Sequence, residues 1–231
     1  MKYILDIQFF GGRGSSSVIL PKRSQRKQRK SQPGTMLVNQ TLKEAIGKKG
    51  SSNTMGEALN SVNRDRYNLS YAAYTENCQR CVVAYELQRR GYDVSALPTH
   101  DSDNWPRVVR VGDELYGRWR GAFKHAKNID VSARTTALVT SNIDKQMSSF
   151  GSGSRGVVQV FWKNGGGHVF NVENVNGKIV YADAQTGRRL KNGNEYMKDT
   201  IPSTVRLIRT DNLQISDRAK QFVTKKSKYN Q

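Results

Sequence analysis

The chain has 231 residues, of which 36% are hydrophobic, and its 38 Lys and Arg residues outnumber its 19 Asp and Glu residues to give a formal charge of +19. This length allows one good-sized domain or two small ones and excludes a longer series of domains. The charge indicates a polyanionic partner or environment, and the lack of a long apolar run in the sequence argues against a membrane span or membrane partner.

The first 35 residues differ in composition from the rest of the chain. Residues 1–12 are a short apolar tag that is too short and too interrupted by polar residues for a secretory signal, so we expect no export by a signal of its own. Residues 13–35 are basic, Ser-rich and without periodicity, which predicts a disordered arm. Such an arm neutralises the phosphates of nucleic acid or serves as a solubilising tail, and the sequence favours neither role.

Beyond the arm, the sequence predicts helices first and a sheet second. The stretches "DELYGRWRGAFKHAKNI" and "ARTTALVTSNIDKQMSSF" have helical patterns, whereas "GVVQVFW", "HVFNVEN", "KIVYADA" and "TVRLIRT" are rich in β-branched and aromatic residues. This order predicts an α+β fold in which helices are followed by an antiparallel sheet. We divide the chain into the tag and arm at 1–35, a short helical linker region at 36–66, one domain at 67–215 and a basic tail at 216–231.

The firmest helix of the sequence carries the only two cysteines. Asn77 is a suitable N-cap for a helix that begins at Cys78. Helical character continues to about Arg90, and Gly91 is well placed to end the helix. A thiolate is favoured at a helix start because unpaired N–H groups and the positive end of the helix dipole stabilise the anion. We therefore predict Cys78 as the reactive cysteine, with Cys81 as the alternative nucleophile.

Other roles for the Cys-x-x-Cys pair fit less well. A zinc site needs two further ligands, and the sequence has no other Cys and three His residues without paired spacing. Thiol redox motifs of the thioredoxin type need a strand-helix-strand setting, which the surrounding sequence does not predict. A disulfide across two intervening residues would close a small, strained ring. We expect reduced cysteines, no metal and no cofactor.

The dipeptide Asn176-Gly177 joins two predicted strands and is a strong signal for a two-residue β-hairpin turn. In that register His168 lies opposite Gln185, and Asp183 is a diagonal neighbour of His168 on the same face. This separation allows a hydrogen bond between an imidazole and a carboxylate. The pair therefore has the arrangement of a general base and its orienting partner. Solvated strand ends are the alternative interpretation of the same residues.

Two blocks of the sequence resemble one known family. "NCQRCVVAYELQRRGYDVSALP" and "GGGHVFNVENVNGKIVYADAQTG" are similar to the papain-fold toxin domain, of the glutamine deamidase type, in bacterial and phage polymorphic toxins. The family pattern has an Asn-Cys opening, an Arg-rich helix ending in Gly-Tyr-Asp-Val, then Gly-His-x-Phe-Asn-Val and Asp-x-Gln-x-Gly. The resemblance extends from about Tyr67 to Ile208 and implies a papain-like cysteine hydrolase fold.

The resemblance implies a role for each matching residue. Cys78 would be the nucleophile, His168 the general base and acid, and Asp183 the residue that orients the histidine. Gln185 would stand beside them as a polar support or oxyanion donor. No Gln lies six residues before either cysteine, where papain keeps its oxyanion residue, so we expect helix-start N–H groups or another side chain to stabilise the oxyanion. The substrate would be a glutamine side chain in a host protein, and a cysteine protease of the same fold is the alternative.

The N-terminal stretch "ILDIQFFGGRGSSS" resembles a short element of phage head proteins, including head-morphogenesis proteins of the Mu F type that carry toxin domains. This resemblance implies a location in the phage head or in the cytoplasm of the bacterial host. The partners of the arm at 13–35 would then be nucleic acid or phage head proteins. A basic virion protein without catalysis, associated with packaged DNA, is therefore a second hypothesis for the whole chain.

Overall fold

The computed structural model describes residues 40–63, 67, 72–99 and 118–226. The predicted tag and arm lie outside these described residues. So does the first part of the predicted helical segment "DELYGRWRGAFKHAKNI", whose described part contains a short 3-10 helix.

The described helices are mostly short. The α-helices are α1 (Leu42–Ile46), α2 (Met55–Ser61), α3 (Ala72–Thr75), α4 (Cys78–Arg89), α5 (Thr136–Ser149) and α6 (Asn194–Met197), and 3-10 helices span Arg118–Ala122, Pro202–Thr204 and Asp217–Gln221. Threonine hydroxyls at the N-caps of α1, α2 and α5 accept hydrogen bonds from first-turn N–H groups, which explains where these helices begin. Within the described ranges, no helix combines the length and the apolar character needed to cross a membrane.

The strands form one antiparallel sheet and one separate antiparallel pair. They are β1 (Val94–Ala96), β2 (Ile129–Asp130), β3 (Arg155–Phe161), β4 (Gly167–Val175), β5 (Lys178–Asp183), β6 (Arg188–Arg189), β7 (Arg206–Arg209) and β8 (Val223–Lys225). The sheet has the order β2-β7-β3-β4-β5-β6, and β1 pairs with β8. Helices combined with antiparallel strands confirm the predicted α+β class.

The sheet is buried on both faces because alternate residues of its central strands meet two different layers. Val157 and Val169 join Tyr85 of α4 in one hydrophobic cluster. Phe170 joins Ile143 of α5 in the other. Successive side chains of a strand point to opposite faces, so β3 and β4 are buried along almost their whole length. Helix α4 is therefore held against one face and α5 against the other.

Ion pairs fasten α4 to the sheet. Glu86 is fully buried and accepts hydrogen bonds from Arg90 and from Arg155 of β3. Arg89 forms a bidentate pair with the buried Glu173 of β4. A buried carboxylate requires such partners because its desolvation is costly. The Arg-rich end of α4 thus has a structural role, and these arginines are not free to bind an external polyanion.

The hairpin and the end of α4 agree with the sequence predictions. β4 and β5 are joined at Asn176-Gly177, with Val175 opposite Lys178. Both turn residues have positive φ, 52° and 86°, as a type I′ turn requires. Gly91 follows α4 with a φ of 97°, a conformation that favours glycine. These predictions are confirmed.

The folded unit extends further than residues 67–215 in both directions. Ala45 of α1 and Leu59 of α2, from the predicted linker region, are buried in the same cluster as α4. At the other end, the sequence predicts a basic tail from residue 216, but the structure differs there: β8 pairs with β1 and Phe222 is buried. The partner strand of β8 lies far away in the sequence, so the local composition, rich in lysine, does not reveal it.

Candidate active site

Three predicted site residues lie where α4, β4 and β5 meet. Cys78 is the first residue of α4, His168 follows the first residue of β4, and Asp183 is the last residue of β5. All three are buried. The hairpin places the histidine beside the aspartate, and the packing of α4 on the sheet brings the cysteine near the histidine.

His168 contacts both of the other residues. Its Nε2 atom lies 3.2 Å from Oδ2 of Asp183, and the side chain of Cys78 is near enough to raise the pKa of the imidazole. Because Nε2 faces the carboxylate, Nδ1 is the ring nitrogen left for the thiol. The predicted contact between His168 and Asp183 is therefore confirmed.

The surroundings of His168 favour its protonated form. Burial alone disfavours the charge, but the negative charge and hydrogen bond of Asp183, with a contribution of the same sign from Cys78, outweigh burial and raise the pKa of His168 from 6.5 to about 10. A cation beside a cysteine stabilises the thiolate, which is the nucleophilic form of that side chain. At neutral pH the site therefore holds a protonated imidazole beside Cys78.

Both oxygens of the Asp183 carboxylate accept hydrogen bonds. Oδ1 accepts from the backbone N–H groups of Gln185 at 2.9 Å and Thr186 at 3.5 Å. Oδ2 accepts from the hydroxyl of Tyr196 at 2.6 Å and faces His168. Burial would raise the pKa of Asp183, but the charge of His168 and these hydrogen bonds lower it below its ordinary value. The carboxylate thus stays ionised in a buried position, as an orienting residue must.

Gln185 supports the site mainly through structural contacts. Its Nε2 atom donates to the carbonyl oxygen of Thr75, just before α4, at 2.9 Å. The backbone carbonyl oxygen of Gln185 accepts a hydrogen bond from Nδ2 of Asn63 at 2.9 Å. The backbone N–H group of Gln185 donates to Oδ1 of Asp183. These contacts favour a polar support over an oxyanion donor, and the role of Gln185 in the reaction stays a prediction.

The side chain of Asn77 does not cap α4, although Asn77 occupies the N-cap position. Its Nδ2 atom donates to Oδ1 of Asn63 and to the carbonyl oxygen of Leu97. Its Oδ1 atom accepts from the thiol of Cys81 at 3.2 Å. Each polar atom of a buried amide needs a partner, and here these partners come from the tertiary structure. The side-chain cap expected from the sequence is therefore replaced by a buried network.

Cys81 is held as a neutral thiol. Burial, with the nearby negative charges of Cys78 and Asp183, raises the pKa of the Cys81 thiol well above its ordinary value. Both cysteines are free of disulfides. Among the residues that the structure describes, no group of three or more His, Cys, Asp or Glu side chains is arranged to hold a metal ion. The geometry therefore favours Cys78 over Cys81 as nucleophile.

Aromatic rings surround the imidazole of His168. The rings of Trp162 and Phe170 lie nearly parallel to it at centroid distances of 6.2 and 6.0 Å. The ring of Tyr196 meets it edge-on at 5.5 Å. Sequence reasoning did not single out Tyr196 or Asn63, because each follows from tertiary packing; the aromatic residue in the polar stretch "KNGNEYMKD" is the one local signal.

Residues 76–188, which contain Cys78, His168, Asp183 and Gln185, match the model of a family described as papain fold toxin 1, glutamine deamidase. The protein carries a papain-fold toxin domain. The resemblance seen in the two sequence blocks is thereby confirmed. The comparison with curated proteins and the comparison with solved structures gave no match.

The papain-fold toxin domain supports three statements about activity. It supports a deamidase toxin or effector, a hydrolytic enzyme acting on amide groups, and a protein as substrate. The matched segment is shorter than the folded unit. Helices α1, α2 and α6, strands β7 and β8, and with them Asn63 and Tyr196, lie outside the matched residues.

Proposed function

We propose that this papain-fold toxin deamidates a glutamine side chain in a host protein, with Cys78 as nucleophile, His168 as general acid and base, and Asp183 as the orienting residue. The observation that carries the proposal is the contact of His168 with both Cys78 and Asp183. A nucleophile beside a base that is itself oriented by a third group is the arrangement that covalent catalysis requires. The family match supports glutamine as the substrate residue.

In the first half of the reaction, the Cys78 thiolate attacks the amide carbon of the glutamine side chain. The resulting oxyanion needs hydrogen-bond donors. The N–H groups of Arg80 and Cys81 bind the carbonyl oxygen of Asn77, whereas those of Cys78 and Gln79 come earlier in the first turn, where the helix supplies no acceptor. The imidazolium of His168 protonates the amide nitrogen, ammonia leaves, and a thioester with Cys78 remains.

In the second half, water releases the product. Neutral His168 takes a proton from the water molecule as it attacks the thioester carbon, and the carbon–sulfur bond breaks. Glutamate leaves in place of glutamine, and the Cys78 thiolate and the His168 imidazolium are restored. Asp183 keeps the ring oriented through both halves. The substrate side chain changes from neutral to anionic, which disables a glutamine that donates hydrogen bonds.

The test is to incubate the purified protein with a bacterial host lysate and to follow the host proteins by mass spectrometry. We expect full-length host proteins with glutamine-to-glutamate conversions, and ammonia released in equal amount. Cys78→Ala and His168→Ala should abolish both signals, while Cys81→Ala retains them. Cleavage fragments without conversions would favour a cysteine protease of the same fold. Conversions that persist in Cys78→Ala would contradict the proposal.

We also propose a location in the phage head or in the host cytoplasm, with the arm at 13–35 in contact with nucleic acid or head proteins. The charge of +19 supports this proposal, because a basic chain gains affinity for phosphates through counterion release. Deleting residues 13–35 should reduce incorporation into virions and DNA retention at low salt, whereas Cys78→Ala should leave both unchanged. If Cys78→Ala leaves host toxicity intact while the deletion removes it, the non-catalytic alternative is favoured.

A further inference from the structure

Tyr196 makes a short contact with the candidate catalytic residues. Its hydroxyl donates to Oδ2 of Asp183 at 2.6 Å, the same oxygen that faces Nε2 of His168. This distance is shorter than those from the same carboxylate to His168 and to the backbone N–H of Gln185. Short hydrogen bonds to a carboxylate are the strong ones. Tyr196 therefore acts on the oxygen that orients the imidazole.

The hydroxyl of Tyr196 is held in its donor form. Burial and the negative charge of Asp183 raise the pKa of Tyr196 above its ordinary value, so its proton remains on the oxygen. The result is a directional chain of contacts from Tyr196 through Asp183 to His168.

Helix α6 holds Tyr196 firmly despite its short length. Oδ1 of Asn194 accepts a hydrogen bond from Thr140 of α5 at 2.7 Å, and Met197 is fully buried. A side chain at Gly193, just before α6, would approach atoms of Thr140 and Tyr181 to within 2.7 Å. The start of α6 is thus packed closely against α5 and β5, which leaves the Tyr196 ring little freedom beside the imidazole.

We propose that Tyr196 is a positioning residue of the reaction: its hydroxyl fixes the Asp183 carboxylate so that Oδ2 faces His168, and it draws negative charge away from that oxygen. Tyr196 touches neither substrate nor thiol in this role and acts through Asp183. The proposal rests on the proposed function, in which His168 is the general acid and base. Tyr196 lies outside residues 76–188, so the family match does not assign it.

The charge effect has a definite sign. A hydrogen-bond donor on Oδ2 stabilises the carboxylate and weakens its pull on the imidazolium proton. Without the hydroxyl, Asp183 would hold the proton on His168 more tightly. The imidazolium would then be a weaker acid toward the departing ammonia. Loss of the hydroxyl is expected to slow the chemical step and to leave binding of the substrate unchanged.

Tyr181 provides a matched control. Its hydroxyl also donates to a carboxylate oxygen, Oδ1 of Asp144, at 2.6 Å. Burial and Asp144 raise its pKa as well. Asp144 belongs to α5 and does not contact the catalytic pair. Tyr181→Phe and Tyr196→Phe therefore remove chemically equivalent groups, and only the second removes one from Asp183.

The experiment has two measurements on the full-length protein and its two Phe variants. The first is the imidazole titration of His168 by ¹⁵N NMR, assigned among the three histidines with His168→Gln. The second is the rate of glutamine conversion in a lysate substrate against substrate concentration. For Tyr196→Phe we expect the titration midpoint of His168 to shift to higher pH. We expect kcat to fall by about tenfold, which corresponds to the loss of one hydrogen bond to a charged group, and KM to stay unchanged. Tyr181→Phe should match the wild type in both.

The outcomes separate this proposal from the proposed function. A shifted His168 titration in Tyr196→Phe, in a protein that shows no glutamine conversion, would retain the positioning role and reject the deamidase. An unshifted titration and a normal kcat in folded Tyr196→Phe would overturn the positioning role and leave the deamidase standing. Equal effects of Tyr196→Phe and Tyr181→Phe would also overturn it, because they would show a general effect of losing a buried hydroxyl.

Discussion

The thiol of Cys81 hydrogen-bonds Oδ1 of Asn77, 3.2 Å away. This contact gives the two cysteines of the Cys-x-x-Cys motif different surroundings. Cys81 is a donor in a buried amide network, whereas Cys78 lies near a protonated imidazole. Only a thiolate is strongly nucleophilic. Because Asn77 binds the thiol of Cys81 and His168 lies near Cys78, these neighbours favour Cys78 as the nucleophile.

Alkylation should therefore distinguish the cysteines. With iodoacetamide at neutral pH, we expect Cys78 to be labelled at least about tenfold faster than Cys81, because reactivity follows the thiolate fraction. Peptide mapping by mass spectrometry measures both rates. His168→Ala should slow labelling of Cys78, and Cys81→Ala should leave it unchanged. Equal, slow labelling of both, insensitive to His168, would argue against a poised nucleophile.

The His168 proton should make stability depend on pH. The pKa of His168 is raised from 6.5 to about 10 in the folded state, so its contribution is complete below pH 6.5 and is lost as pH rises toward 10. A Cys78→Ala background removes the thiol near His168, and Asp183, the larger cause of the raised pKa, remains. In urea unfolding, that variant should lose stability across this window, and Cys78→Ala/His168→Gln should lose less. Parallel curves would refute the shift.

Gln185→Ala should act mainly on stability. It removes the hydrogen bond from Nε2 to the carbonyl oxygen of Thr75 and keeps the backbone N–H that binds Asp183. We expect a loss of about 1–2 kcal/mol in the free energy of unfolding and a fall in kcat of less than tenfold. A true oxyanion donor would cost roughly 10²- to 10³-fold in kcat, so a loss of that size would restore the alternative role.

Removing the buried carboxylate of Glu86 should destabilise the protein strongly. Glu86→Ala leaves Arg90 and Arg155 without the carboxylate of their ion pairs, and breaking a buried ion pair costs about 3–5 kcal/mol. The control is Asp93→Ala, which removes a salt bridge to Lys226 from a carboxylate that is 75% exposed, with an expected cost below about 1 kcal/mol. Chemical denaturation measures both. Similar costs for the two variants would deny the anchoring role of Glu86.

Gly91→Ala should cost more than Gly151→Ala. The φ angle is 97° at Gly91 and 86° at Gly151, so both substitutions carry backbone strain of roughly 1–2 kcal/mol. A methyl group at Gly91 would in addition collide with the carbonyl oxygen of Gly50, whereas at Gly151 it would meet open space. The difference between the two free energies of unfolding isolates the collision. No difference would mean that the loop at Gly50 yields freely.

The sequence could predict the parts of the site that depend on local rules. The pairing of His168 with Asp183 follows from the turn type at Asn176-Gly177 and from the alternation of side chains. The start of α4 at Cys78 is predicted by helical character and by the residue type of Asn77, although the side chain of Asn77 makes no cap hydrogen bond. In each case the residues that determine the geometry lie close together in the chain or are counted from a fixed turn.

The remaining parts depend on contacts between distant segments. Asn77 is a good N-cap by type, but its burial next to Asn63 and Cys81 gives its side chain other partners. Tyr196 lies on a helix of four residues, too short for a periodic signal. Strand β8 has its partner in β1. No rule based on neighbouring residues indicates which distant group completes a hydrogen bond.

The turn at Asn176-Gly177 is at the far end of the hairpin from His168, yet it determines which residue His168 faces. One residue inserted in the turn would shift the pairing of β5 with β4 by one position. The side chain of Asp183 would then point to the other face of the sheet, away from His168. Lengthening the glycine-rich loop that precedes β4 would leave that pairing intact. The two ends of the hairpin are therefore unequally open to evolutionary change: the loop before β4 can vary in length, while the turn at Asn176-Gly177 must keep its size for His168 to stay beside Asp183.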